Sequence, residues 1–375
     1  MKKLLIDAIS TNSGGAISHL KSLLEHFDSQ KRFDKVEVHV PFETIKLLPK
    51  NKKIKYISFK FFEKFLIFRI LWQVIWLNII LKIKKYNCVF VTGSSHFLFF
   101  KCIVTISQNL LPFNKFEVNK YFFSFFYIKL LLIKITQTLS FKRSKGLIFL
   151  HRYSKKIILS QIGKVNAKIK VIPHSISQNY EPINQKFSKK KIRFIYISNI
   201  DYYKNHEFLI KSINDLFNKN PLLKRKIFFE FYGKAYKPAL KKIINLIKLR
   251  NKSFINFKYL GIKKKKLIYK KKKDYFTIAI FCSSCENFSV AVLEAVAFKL
   301  PMLCVDLNPM KSVLKNYAMF YRYNSNRSLQ NKILQIIYKP KSIQKKTSNY
   351  LDILKDFKPS VVAFKTYEFL YELSK

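Results

Sequence analysis

The sequence predicts an α/β protein built as two doubly wound, Rossmann-like halves, and three observations carry that expectation. The chain opens on a strand, a glycine loop and a helix. Short apolar runs then alternate with segments of helical apolar spacing. Behind a polar linker the same alternation begins again. At 375 residues the chain is long enough for two domains, and a 49% hydrophobic content supplies a core for each. With 11 Pro and 7 Gly it is too poor in both to be dominated by disorder or linkers.

Residues 3–9 are strand-like and run into Asn12, Ser13, Gly14 and Gly15. Ile17, Leu20, Leu23, Leu24 and Phe27 then recur at helical spacing. Residues 36–40, 88–91, 103–106, 146–150 and 169–172 each have the length and apolar character of a buried parallel strand. Pro173, His174 and Ser175, with the polar stretch 178–191, read as the linker. In the second half, strands are expected at 193–198, 227–232, 255–260, 277–281 and 302–305. Gly233 and Gly261 close two of them. Helices are expected at 205–218, 238–249 and 289–298.

Two further segments look membrane-like, but 66–83 carries Arg69, Gln73 and Asn78, and 121–139 carries Lys129 and Lys134. A spanning helix takes about 20 apolar residues with few or no charges, so both read as amphipathic helices. Met1, Lys2 and Lys3 lead so quickly to Asp7 that no exported leader is expected. The five cysteines, Cys88, Cys102, Cys282, Cys285 and Cys304, then read as reduced thiols of a cytoplasmic protein.

The net charge of +51 points to an anionic partner or to codon composition, since Lys, Ile, Phe, Asn and Tyr all have A/T-rich codons. A nucleic-acid binder would cluster basic residues with stacking aromatics on one face, whereas Lys is spread over the whole length here. An anionic membrane surface, met peripherally, is the partner that fits better. Phe61, Phe65, Phe68, Trp72 and Trp76 share one helical face at about 100° per residue, as core or as an interfacial stripe.

The sharpest local pattern is Glu286 and Glu294, eight apart, with the helix N-cap expected at Ser289 between them. The free amides and positive dipole end of that helix suit a diphosphate. A carboxylate on each side can accept hydrogen bonds from sugar and ribose hydroxyls. Glu294 falls among Val290, Val292, Leu293 and Val296, where an unpartnered carboxylate would be costly.

Those two glutamates with Ala295, behind Cys282 to Cys285, resemble the nucleotide-sugar motif of glycosyltransferase family 4, retaining enzymes of the GT-B fold. Other phrases fall in that family's order: Gly14 and Gly15, the stretch 170–175, the strand to Asn199 followed by Lys204 and Asn205, Gly233, Leu260 with Gly261, and 308–310. The resemblance implies residues 1–175 as an acceptor-side domain, 176–358 as the nucleotide-sugar domain, and a C-terminal helix, 359–375, returning to the first. The two domains would face a cleft. It implies a metal-independent transferase that takes no cofactor. The sugar would pass from a nucleotide diphosphate to a saccharide or lipid-linked acceptor in surface-polysaccharide or lipopolysaccharide synthesis, at the inner face of the cytoplasmic membrane. An idle scaffold subunit is the alternative.

Carried over residue by residue, the resemblance gives Glu286 the sugar hydroxyls and Glu294 the ribose. Lys204 would neutralise the leaving diphosphate. Asn287, Phe288, Ser289 and Val290 would offer backbone amides, Gly14 and Gly15 would approach the phosphates, and Leu260 would meet the base. The chain departs from the family at Asn199, where Arg is usual, and at Asn205 and Lys299, where Gly is usual. The loop that often carries an active-site His reads Ser107, Gln108, Asn109, so that role is unfilled or passes to Gln108 or His96. His19, His174, the Cys282–Cys285 pair and the lysine runs 263–266 and 270–273 read mainly as structural or solvated groups.

Overall fold

The computed structural model describes residues 2–11, 14–59, 66–176, 180–183, 185, 191–250, 256–269 and 275–375. The chain divides into two compact units, Met1–Ser177 with Asp356–Lys375, and Gln178–Lys355. Each unit is a parallel sheet covered by helices.

The strands of the first unit are β1 (Lys3–Asp7), β2 (Lys35–His39), β3 (Ile54–Ile57), β4 (Cys88–Val91), β5 (Ile103–Ser107), β6 (Gly146–Phe149) and β7 (Lys168–Val171). Their order is β3-β2-β1-β4-β5-β6-β7. In the second unit, β8 (Lys191–Ile197), β9 (Ile227–Tyr232), β10 (Phe257–Tyr259), β11 (Tyr275–Phe281), β12 (Met302–Val305) and β13 (Ala318–Tyr321) pair as β10-β9-β8-β11-β12-β13. Every named pairing is parallel. Both sheets therefore reverse their winding once, between β1 and β4 and between β8 and β11, and such switch points are where α/β sheets hold ligands.

The central strands are the continuous apolar runs of the sequence, because helices cover both faces of a parallel sheet. The edge strands β3 and β13 were not legible. β3 interrupts its apolar residues with Lys55, and β13 is a run of only four residues. The strand expected at 255–260 is observed as Phe257–Tyr259, residue 255 lying outside the described residues. The linker 178–191 and the lysine run 270–273 lie largely or wholly outside them too. The C-terminal helix Pro359–Ser374 packs on the first unit: the Tyr367 hydroxyl donates to the Leu23 carbonyl at 3.1 Å, and Lys145 Nζ to the Leu373 carbonyl at 2.8 Å.

Two helical expectations need correction. The run over 66–83 is an α-helix, Leu66–Leu71, then π-helical turns, Trp72–Leu77, then an α-helix, Asn78–Ile83. The wide turns set the buried positions at Trp72, Leu77 and Leu81, five and then four apart. The aromatic stripe is consequently split. Trp72 is 3% exposed, its ring 3.8 Å from that of Phe59, whereas Trp76 is 50% exposed. Phe61 and Phe65 lie outside the described residues. The second correction concerns the helix expected at 121–139, observed as Phe125–Arg143 with Ser124 capping it through the Tyr127 amide. It turns polar Gln137 and Ser140 inward and Ile128, Leu132, Ile135 and Leu139 outward. Among the described residues, no helix is long and apolar enough to cross a membrane.

Candidate active site

A cluster of charged groups lies in the second unit, where β8 and β11 end side by side at the switch point. Beyond β8 the chain makes a short 3-10 turn, Tyr202–Lys204, capped by Asp201, whose carboxylate accepts from the Tyr202 amide at 2.8 Å. Asn205 then takes the left-handed conformation, φ 55° and ψ 30°, and the helix His206–Lys219 begins. Asn tolerates that region better than other non-glycine residues, so the exchange of Gly for Asn keeps the turn. Its amide Nδ2 donates to the Cys282 carbonyl at 3.1 Å, tying the turn to the end of β11. Beneath it, the Tyr196 hydroxyl donates to the Lys204 carbonyl at 2.9 Å. The His206 ring stacks on Tyr196 at 4.5 Å. Burial lowers the His206 pKa to about 3, and the Lys204 charge pushes the same way, so this imidazole is neutral packing.

The loop after β11 is laced to the same turn. The Ser284 amide donates to the Tyr203 carbonyl at 2.8 Å and its hydroxyl does so at 2.9 Å. This places Glu286 against Lys204, and the two form a largely buried ion pair between Lys204 Nζ and Glu286 Oε1. Burial alone would lower the lysine's pKa. The Glu286 carboxylate outweighs it, and the ammonium is held above its ordinary range. The Tyr203 ring lies 4.8 Å from the ammonium, and burial pushes its phenol up to about 12. Two residues the sequence separates by 82 positions thus make one charged unit.

The helix Val290–Ala297 follows, with Ser289 in extended N-cap geometry, φ −104° and ψ 106°, though its hydroxyl makes no capping hydrogen bond. Val292, Leu293, Ala295 and Val296 bury its inner face, so the helix is fixed by core packing. It ends in a Schellman turn: Lys299 N–H donates to the Val296 carbonyl at 2.8 Å and Leu300 N–H to that of Ala295 at 3.0 Å. Lys299 stands at φ 57° in that turn, where Gly would be unstrained. Glu294, 5% exposed, is partnered rather than isolated. Its Oε1 takes an ion pair from Lys265 Nζ and accepts from the Tyr180 hydroxyl at 3.4 Å. Burial pulls the Lys265 pKa down, and Glu294 and Tyr180 raise it to a net elevation. Sequence reasoning missed both partners, because nothing distinguishes Lys265 from the neighbouring lysines before the chain folds.

The other expected residues fall as follows. Asn287, Phe288 and Ser289 are buried and Val290 half-buried, in the turn that joins Glu286 to the helix. Asn199 is exposed just beyond β8. Leu260 follows β10, its amide donating to the Phe231 carbonyl at 2.9 Å. Gly14 and Gly15 belong to the first unit and open the helix Gly14–Glu25, Gly14 at φ 60°. Also in that unit is His96. It is buried, bonded through Nε2 to Ser144 at 3.2 Å and through its amide to Ser140 at 2.8 Å, and burial lowers its pKa to about 4. Gln108 donates its backbone amide to Ser94 Oγ at 2.9 Å, while its buried Nε2 has no hydrogen bond among the described residues. His19 and His174 are buried edge to face at 4.6 Å in the first unit, and burial lowers both pKa values. Cys282 and Cys285 are buried. Among the described residues no three His, Cys, Asp or Glu are grouped to hold a metal.

Residues 178–351, the second unit almost entire, match the family model of Glycosyl transferases group 1. Solved structures resemble the whole chain. Anabaena HepE in complex with UDP is 13% identical with a TM-score of 0.70, covering 99% of this chain and 100% of its own. Sucrose-phosphate synthase from Thermosynechococcus elongatus is 11% identical with a TM-score of 0.76, covering 100% of this chain and 99% of its own. The lipopolysaccharide outer core galactosyltransferase WaaB, in its apo form, is 14% identical with a TM-score of 0.65 and 99% coverage of each chain. At such identities the likeness is one of fold, two Rossmann-like domains of the GT-B type with a C-terminal helix. No curated protein gives a significant match.

Proposed function

We propose that the protein is a retaining glycosyltransferase that moves a sugar from a nucleotide diphosphate to a saccharide or lipid-linked saccharide in surface-polysaccharide synthesis. The observation that carries the reading is the Lys204–Glu286 pair at the carboxyl ends of β8 and β11, next to the start of the Val290–Ala297 helix. A cation from the loop after β8, with a carboxylate and helix-start amides from the loop after β11, form the set that a diphosphate joined to a sugar requires. Lys204 and the amides of residues 287–290 take the diphosphate, and Asn199 offers a neutral contact. Glu286 takes the sugar hydroxyls, Glu294 the ribose, and Leu260 borders the base. Gly14 and Gly15, at the start of the helix Gly14–Glu25, are further donor-binding candidates. HepE, with UDP in its crystal, supports a uridine nucleotide as the first donor to try.

In this reading the transfer is front-face. As the bond from sugar to diphosphate breaks, an oxygen of the departing diphosphate takes the proton of the acceptor hydroxyl, whose oxygen bonds to the same face of the sugar. Lys204 and the helix start stabilise the charge that grows on the diphosphate, so no protein nucleophile is needed. The chemistry runs without a metal and without a cofactor, and turnover should survive EDTA. The acceptor is met at the inner face of the cytoplasmic membrane, where the protein is peripheral.

A thermal-shift screen against nucleoside diphosphates and nucleotide sugars tests the donor class directly. An idle scaffold would bind none of them. For the ribose contact, Glu294→Gln should weaken nucleoside diphosphate binding by about 1.5–3 kcal/mol, the range for hydrogen bonds to charged groups. Calorimetry with the fold intact checks it, and unchanged affinity rejects the assignment.

A further inference from the structure

The helix Phe125–Arg143 buries Leu130 and Phe141, yet it carries a second apolar face outside. Ile128, Leu132, Ile135 and Leu139, spaced to form one stripe along it, are exposed, while Gln137 and Ser140 face the unit's interior. A helix face covered only by water would present polar residues there. Its N-terminal end projects further: Phe123 is 97% exposed and Phe125 93%. Phe123 is held outward by a left-handed backbone, φ 63°.

This face does not stand alone. The segment 95–99 is clasped by both apolar helical runs. Ser140 exchanges hydrogen bonds with the amide and carbonyl of His96, at 2.8 and 3.1 Å. Asn78 bonds to the Phe97 carbonyl at 3.0 Å and the Phe99 amide at 2.7 Å. Ile75, Trp76 and Ile79 are exposed on the run that holds this segment, and Phe99 within the segment is exposed as well. An apolar surface of this extent marks a docking site.

Charge identifies what docks. From residue 66 to residue 143 the chain has eleven Lys and Arg and one acidic residue, Glu117. That carboxylate is buried and paired with Lys120 at 2.8 Å, so it contributes no exposed negative charge. Lys129, Lys142 and Arg143 rim the stripe, with the Arg143 guanidinium 5.6 Å from the Phe99 ring. A second copy of the same face would set these like charges against each other. Projecting aromatic and aliphatic side chains within a cationic rim match the boundary between acyl chains and anionic headgroups.

We propose that this face of the first unit docks on an anionic lipid bilayer, with Phe123 and Phe125 inserted below the headgroups. The inference gives a location to the peripheral association in the preceding reading and stands on the geometry of one unit. It is tested without donor or acceptor, so nucleotide binding and vesicle binding can fail separately.

The full-length protein carrying Trp72→Phe retains Trp76 as its one tryptophan. It is mixed with phosphatidylcholine vesicles with and without phosphatidylglycerol. Co-sedimentation with the anionic vesicles and a blue shift of Trp76 emission are expected. Phe123→Ser with Phe125→Ser should lower partitioning by about tenfold or more. The unfolding temperature should stay unchanged, because both side chains are exposed, and part of the wild-type binding should persist in high salt. The proposal is overturned by no binding, or by binding that ignores the serines and vanishes in salt. It also fails if the protein self-associates without lipid and the serines abolish that association, since a second copy would then cover the face.

Discussion

Lys204→Ala should lower kcat by about 10²–10³-fold, similar to losing one well-placed oxyanion donor. Under the proposed mechanism Lys204 is the one side-chain cation at the phosphate position, because Asn199 stands where an arginine would share the charge. Its interaction strengthens as the sugar–phosphate bond breaks, so the loss should fall on kcat more than on donor affinity. The structure adds a second consequence. Removing the ammonium leaves the Glu286 carboxylate, 11% exposed, without its ion-pair partner, and breaking a buried pair costs about 3–5 kcal/mol. Part of any activity loss could then reflect unfolding. Lys204→Ala with Glu286→Gln removes both charges and should recover most of the stability while leaving turnover low. Asn199→Arg, restoring the second cation, should keep or raise activity. The measurement is release of nucleoside diphosphate with a crude membrane-lipid acceptor, alongside thermal unfolding of each variant. Wild-type turnover by Lys204→Ala would refute the phosphate assignment, and loss of turnover in EDTA would refute the metal-free mechanism.

Gly233→Ala should cost about 2–5 kcal/mol of stability, from backbone strain and overpacking together. Gly233 ends β9 at φ 144°, a conformation that L side chains rarely adopt. A Cβ there would stand 2.2 Å from the Ser198 carbonyl oxygen and 3.1 Å from the Asn199 amide nitrogen. These are backbone atoms that cannot turn aside as a side chain would. Relief requires the end of β8 to move, and that strand leads into the turn that presents Lys204. Donor affinity should fall with stability. Gly261→Ala is the matched control: φ is 64°, yet nothing lies within 4 Å of the new Cβ, so only about 1–2 kcal/mol of strain is expected. Urea denaturation of both variants checks the contrast, and equal midpoints would show that the close approach to Ser198 contributes nothing.

Most of the architecture was legible because buried parallel strands must be apolar on both faces, and such runs stand out in any order of reading. The Val290–Ala297 helix was legible for the opposite reason, a carboxylate, Glu294, among apolar residues and a second, Glu286, in the turn before it. The sequence alone therefore determined the α/β class, the central strands and the neighbourhood of the candidate site. Only the tertiary structure decided which charges meet. Lys204 reaches Glu286 because β8 and β11 are neighbours at the switch point, and Lys265 reaches Glu294 across 29 positions with no local pattern to announce it. It also decided which sides of the apolar helices face out. The π-helical turns at Trp72–Leu77 change the phase of one helix, so that Leu77 rather than Trp76 is buried after Trp72. Hydrogen bonds from Ser140 to the 95–99 segment draw the polar side of the other inward. Hydrophobic spacing fixes which residues share a face of a helix; what that face meets depends on partners distant in the chain.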